Sequence, residues 1–239
     1  LAADDSIEAA RSEHIWKYIS QKIDLARESK ILDYGGMDGR LMRAFAKRGK
    51  NCLVIDYCVE VASGVTRLGK TLSDIPANST FDLIVCSHVI EHVARPKEKL
   101  EQLFRHLSDQ GFLFVEVPME IWKNPPVPPE PVTHINWFTP NSLSNLFMVA
   151  GLQALSCELT GSPHPTGVTL PCIRAVGRRP AAQDLGANEL LRPDALHYIS
   201  PSLGQALRYY YRVPATLFGA ASRAVSKALP RRPAGSPAE

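Results

Sequence analysis

The sequence predicts a doubly wound α/β domain with a mostly parallel seven-stranded sheet and a helical C-terminal tail. Three observations carry this. Short apolar runs alternate with helical segments between residues 30 and 177. A glycine-rich turn, Gly35-Gly36-Met37-Asp38-Gly39, follows the first run directly. A second apolar run then ends in an acidic residue, Asp56, seventeen positions after Gly39.

Along the chain, Ile7, Ala10, Ile15, Trp16, Ile19 and Ile23 recur at near-helical spacing. Residues 1–29 therefore read as a helical cap over the edge of the sheet. Residues 30–34 form a strand, 39–48 a helix, 51–56 a strand and 59–67 a short helix, with a weak strand at 70–72. Then come a strand at 81–87, a helix at 96–107 and a strand at 111–117. Five prolines in residues 124–131 exclude a helix and predict a stiff extended loop. Thr139-Pro140 starts the next helix, with Thr as N-cap and Pro at the first helical position, and Gly151 ends it. Residues 153–159 and 171–176 close the domain as a hairpin that adds an antiparallel strand. The domain thus spans residues 30–180, followed by a linker at 181–202 and a tail at 203–239.

Composition narrows the function classes. Of the net charge of +3, the segment 198–239 carries +5, from Arg208, Arg212, Arg223, Lys227, Arg231 and Arg232 against Glu239. The body is left slightly acidic, which argues against a nucleic-acid partner. The five cysteines are odd in number and form no C-x-x-C pair, so reduced thiols and a cytoplasmic setting are expected. No metal-ligand spacing is visible, and none of the apolar stretches reaches the length of a membrane span. The opening, Leu1 with Asp4 and Asp5, does not read as a secretory leader. In the tail, Leu203, Leu207, Tyr210, Tyr211, Leu217, Phe218, Val225 and Leu229 fall on one side of a helical wheel, with the basic residues opposite. Residues 203–229 could therefore lie on an anionic membrane surface or pack on protein.

The glycine turn predicts a cofactor with an adenosine end, because glycines let the backbone approach a ligand at a helix N-terminus. Asp56 stands where a carboxylate accepts both hydrogen bonds of a ribose diol. The turn lacks the G-x-G-x-x-G spacing that seats a pyrophosphate, which counts against NAD.

These residues resemble a family. Ile31-Leu32-Asp33-Tyr34 with the glycine turn is similar to the first motif of class I S-adenosylmethionine-dependent methyltransferases. Asp56, the block from Phe81 to Val93 and the run from Gly111 to Pro118 resemble later motifs of that family, in order. The resemblance implies S-adenosylmethionine as cofactor, with Gly35, Gly36 and Gly39 shaping the cradle and Asp33 beside the amino group. It further implies Asp56 on the ribose, Tyr57 and Leu72 near adenine, and Ser87 and His88 bordering the cofactor. Met37 replaces the usual middle glycine. Thr71 or Asp74 are the candidates to hold the adenine amino group.

The segment from His134 to Leu143 resembles a His-Glu-His-Ile-Asn-x-Phe-Thr/Ser-Pro-x-Ser-Leu stretch of a subgroup common among sugar and surface-polysaccharide methyltransferases. Val132 and Thr133 stand where that subgroup has His and Glu. His134 is the expected catalytic base, since an imidazole with a pKa of about 6.5 suits removal of a hydroxyl or carbon proton. The implied acceptor is a small molecule of sugar type, nucleotide-linked or lipid-linked. The alternatives are a quinone or lipid ring methylated at the membrane, or a cofactor-binding pseudoenzyme with a regulatory role. Trp122, Trp137 and Phe138 could stack on a ring, and Arg40 and Arg67 could meet phosphates.

Overall fold

A computed structural model describes residues 2–26, 28–120, 134–163, 169–181 and 189–194. Seven strands form one sheet: β1 (Lys30–Tyr34), β2 (Asn51–Ile55), β3 (Val65–Gly69), β4 (Phe81–Ser87), β5 (Leu107–Pro118), β6 (Gln153–Pro163) and β7 (Thr169–Arg178). The order is β3-β2-β1-β4-β5-β7-β6, with β7 antiparallel to both neighbours and the other pairings parallel. The chain leaves β1 toward β2 and β3, then returns to place β4 on the other side of β1. This reversal opens a crevice at the carboxyl ends of β1 and β4. Asp33, Gly35, Ser87 and His88 all lie there.

Alternation along the strands builds two apolar layers. Leu32, Ile84, Cys86, Leu113 and Val115 face α3 (Pro96–Arg105) and α4 (Pro140–Val149), which contribute Leu100, Leu103, Leu143 and Phe147. Ile31, Leu83, Val85 and Phe114 face α1 (Ala2–Ser20) and α2 (Arg43–Ala46), where Ile15, Ile19 and Phe45 complete the layer. Each fully buried side chain of this size contributes roughly 1.5–3 kcal/mol.

Several elements depart from the sequence expectation. Helix α1 covers a face of the sheet, not its edge. Buried Ser12 pins it there, donating to the Leu41 carbonyl (2.6 Å) and accepting from the Ala44 amide (2.8 Å). The expected helix over 59–67 is absent: residues 57–64 are irregular and Val65–Gly69 is strand, so the weak strand expected at 70–72 lies a few residues earlier. Parallel pairing of Cys52 with Val65 and Leu53 with Thr66 outweighs a short helical pattern, as β-branched residues at a sheet edge favour. The segment expected as one helix over 39–48 divides into a 3-10 turn, Arg40–Met42, and the short α2. Strand β1 and the capped start of α4 agree with expectation, and Thr139 accepts from the Ser142 amide as an N-cap should. The proline loop, Trp122 and the tail 203–239 fall outside the described residues.

Candidate active site

The glycine turn is shaped around one buried carboxylate. A Cβ on Gly36 would stand 2.0 Å from Asp33 Oδ2, so only glycine lets the turn cross the end of β1. Gly35 and Gly39 take positive φ (72° and 75°), the region that glycine enters without cost. Met37 also takes positive φ (52°), with its side chain exposed, and its amide donates to Asp56 Oδ2 (3.0 Å). The turn thus accommodates a methionine by pointing it outward.

Asp33 is 1 % exposed, and neither of its oxygens has a hydrogen-bond partner. Burial, reinforced by the charge of Asp56, pushes its carboxyl up to about 7. A buried acceptor left without a donor is costly unless a ligand supplies one. Asp56 follows the end of β2 and is tied to the turn through the Met37 amide, its Oδ1 accepting from the Cys58 amide (3.2 Å). No helix follows it, so it is not an N-cap. The cleft of about 340 Å³ is lined by Arg11, Gly35, Gly36, Met37, Ser87 and His88. An orphaned buried carboxylate beside a glycine cradle, with a second carboxylate tied to the same turn, fits the ammonium and ribose of S-adenosylmethionine.

The other expected cofactor residues divide. Tyr57 is largely exposed beside Asp56, and Leu72 is half-buried against the α3 side of the core. Asp74 is occupied: its Oδ2 accepts from the Lys70 and Thr71 amides (2.7 and 2.9 Å), which hold its carboxyl below the usual range. Ser87 Oγ donates to Glu116 Oε1 (2.9 Å). His88 takes positive φ (54°), a strained value of the kind that clusters at functional sites. Its ring lies 3.4 Å from both Glu91 and Glu116. Burial works against its charge, but these two carboxylates outweigh that and push it up to about 9. Neither Arg40, paired with Asp38 (2.6 Å), nor Arg67, bonded to the Cys58 carbonyl (2.7 Å), presents a free guanidinium.

The sequence reading missed a buried hub. Glu116, 0 % exposed near the carboxyl end of β5, receives Arg174 Nε (2.7 Å), Ser87 Oγ, His88 and, from α1, Arg11 (3.5 Å). Burial alone would raise its carboxyl, yet these partners hold it well below the usual range. The available signal was a charge inside each of two apolar strands, Val115-Glu116-Val117 and Ile173-Arg174-Ala175.

On the acceptor side, His134 Nδ1 lies 2.6 Å from Glu120 Oε2. This Glu stands two residues past the end of β5 and fourteen residues from His134 in sequence. His92 meets the His134 ring edge to face at 4.7 Å, and buried Glu91 lies 3.9 Å from His92. A contiguous run therefore links the cleft to the acceptor side through His88, Glu91, His92 and His134. Donor atoms of Glu91, His92 and His134 lie within 4.8 Å of one another, a grouping the sequence spacing did not reveal. Tetrahedral ligands about 2.1 Å from an ion stand roughly 3.4 Å apart, so this set would need to contract to hold one. Trp137 and Ile135 are exposed beside it, whereas Phe138 packs in the core and is not available to a ligand.

Comparison with known proteins shows the family and the fold. A family described as a methyltransferase domain matches residues 9–156. The ubiquinone biosynthesis O-methyltransferase of Rickettsia canadensis is 25% identical over 120 residues, covering 46% of this chain and 51% of that protein. The protein of the same name from Actinobacillus pleuropneumoniae is 34% identical over 114 residues, covering 41% and 49%. The chain therefore spans about half the length of these curated relatives. Among solved structures, a chain from the complex of the Haloferax volcanii Trm112 methyltransferase activator with a methyltransferase gives a TM-score of 0.57 at 16% identity, covering 74% of this chain and 94% of that one. The Burkholderia thailandensis 1,6-didemethyltoxoflavin-N1-methyltransferase, solved with S-adenosylhomocysteine, gives 0.55 at 15%, covering 74% and 80%. These two likenesses concern the fold. The sugar and polysaccharide subgroup expected from residues 134–143 has no counterpart in these matches.

Proposed function

We propose that this chain, which belongs to the methyltransferase-domain family, is an S-adenosylmethionine-dependent methyltransferase that methylates a hydroxyl of a small ring acceptor, with His134 removing the proton. The observation that carries this is the Glu120–His134 pair at 2.6 Å. With the Nδ1 proton directed at Glu120, Nε2 is left as the basic nitrogen, and the carboxylate stabilises the imidazolium that forms. Bound S-adenosylmethionine supplies a methyl on a sulfonium, already a good leaving group. The chain itself must orient the acceptor and take its proton. Exposed Trp137 offers a flat face for a ring.

In this reading Asp33 takes the ammonium, Asp56 the ribose diol, Tyr57 and Leu72 the adenine, and Ser87 and His88 border the methionine end. The relatives are named for ubiquinone biosynthesis, which favours a phenolic hydroxyl. A sugar hydroxyl is the second reading, on the resemblance of residues 134–143. A lipid-linked acceptor would also give the basic segment 203–229 a use at an anionic membrane surface on the cytoplasmic side. No described helix is long and apolar enough to cross a membrane. A binding-only role is the third reading; the Glu120–His134 pair and the outward-turned Met37 side chain support catalysis over it.

The test is transfer of labelled methyl to a panel of catechols, polyprenylated phenols and nucleotide sugars. The expected result is label on a ring hydroxyl, with His134→Ala lowering turnover by about 10²-fold or more. Label confined to nucleotide sugars would replace the phenolic acceptor by the sugar. An unchanged rate in His134→Ala would remove its role as base.

A further inference from the structure

The two imidazoles of the acceptor side come from segments with little regular structure of their own. His92 sits in a three-residue 3-10 turn, Ile90–His92, and His134 precedes an extended stretch that runs to the α4 cap at Thr139. What joins them is a set of hydrogen bonds centred on Asn136, more than forty residues from the turn in sequence. The Ile135 and Asn136 amides both donate to the Glu91 carbonyl (2.9 and 3.0 Å). The Asn136 carboxamide spans the whole turn, donating through Nδ2 to Val93 O (2.7 Å) and Ile90 O (3.1 Å).

The turn explains why a side chain is needed. Its internal bonds are only His92 N to Val89 O (3.0 Å) and Val93 N to Ile90 O (3.2 Å), and no side chain caps it. So short a turn offers no donors of its own to the Val93 and Glu91 carbonyls, and carbonyls left unsatisfied in a half-buried setting are costly. A carboxamide NH2 carries two protons and can serve two carbonyls at once. An aspartate of the same shape would instead set a carboxylate against three carbonyl oxygens.

We propose that Asn136 is a positioning residue of the acceptor site, fixing the turn that carries Glu91 and His92 against the segment that carries His134. It touches neither cofactor nor acceptor. It sets the 4.7 Å edge-to-face approach of the two rings, and so the direction from which His134 meets a hydroxyl. Misplacement of a reacting group by about 1 Å can cost about 10²-fold in rate, so a residue holding two segments in register has a large effect from outside the chemistry. This inference rests on the reading of His134 as the acceptor-side base, and its test reads geometry, so that the two fail separately.

The experiment is NMR of the histidine rings in the full chain saturated with S-adenosylhomocysteine, for wild type, Asn136→Ala and Asn136→Asp. In the wild type a nuclear Overhauser effect joins the His92 and His134 rings. Both variants should lose this ring-to-ring effect. Their affinity for S-adenosylhomocysteine should stay within about twofold, because the glycine cradle is built separately. Persistence of the ring contact in both variants would overturn the proposal, leaving Asn136 a space-filler. A loss of cofactor affinity beyond tenfold would also overturn it, by showing that the effect is not confined to the acceptor side. Should neither variant fold, the wild type still decides. Slow exchange of the Asn136 carboxamide protons, with coupling across the hydrogen bond to the Val93 carbonyl, is expected, and fast exchange without coupling contradicts it.

Discussion

Two buried carboxylates stand on either side of the cofactor crevice, and they are opposites. Glu116 is surrounded by donors: Arg174, Ser87, His88 and Arg11. Asp33 is equally buried and has none. The first is complete without a ligand and ties α1, β4, β5 and β7 together at the crevice. The second is incomplete, as the ammonium-binding role proposed for it requires. Burial alone does not make a carboxylate functional; what separates the two is whether the protein itself satisfies the charge.

Removing charge should therefore have opposite effects at the two sites. Glu116→Gln leaves the buried Arg174 guanidinium without its counter-charge, and a loss of about 3–5 kcal/mol is expected by denaturant titration. A loss under 1 kcal/mol would show that the hub does not hold the strands together. Asp33→Asn removes a buried charge that nothing compensates. Here the thermal midpoint of the ligand-free chain should rise by a few degrees, roughly 2–4 °C per kcal/mol gained, while S-adenosylhomocysteine binding falls at least tenfold. Stability and binding lost together would make Asp33 a second structural carboxylate.

The pH dependence sharpens the same contrast. Asp33 has its folded pKa raised from 3.8 to about 7. Between those values the unfolded chain releases a proton that the folded chain keeps, so this group lowers stability as pH rises from about 4 to 7. His88 has its folded pKa raised from 6.5 to about 9. Its contribution is fully present below 6.5 and is lost as pH rises through 9. Melting curves should show the first slope vanish in Asp33→Asn and the second in His88→Gln. The smallest effect concerns the segment after the domain. Asp194 Oδ2 accepts from the Asn141 amide (3.3 Å) in the first turn of α4, and Asn145 bonds both the amide and the carbonyl of Leu191 (2.8 and 2.9 Å). Asp194→Ala should cost about 0.5–1 kcal/mol, measured by denaturant titration; no loss would show the contact to be incidental.

The same contrast explains what the sequence disclosed. The cradle is local: Asp33, Gly35, Gly36 and Gly39 lie within seven residues, and their pattern is tied to a strand end and a helix start, so it could be read directly. Asp56 follows from the same βαβ unit. The hub and the acceptor side are assembled from distant segments, Glu116 with Arg174 and Asn136 with Val93, and no periodicity records such pairs. The pairing of Glu120 with His134 belongs to this second kind, because it depends on where the chain runs after β5. Strand β3 was misread for the same reason, its state being fixed by pairing with β2 and not by its own pattern.

The most direct test of the account is calorimetric titration of S-adenosylhomocysteine into wild type and Asp33→Asn between pH 5 and pH 7. If Asp33 is held for the ligand, wild-type affinity rises about tenfold per pH unit between 5 and 6, levels off near 7, and binding releases a proton below that point. Asp33→Asn should bind weakly with no such slope. A wild-type affinity that is flat with pH, or a slope that survives in Asp33→Asn, would contradict the assignment.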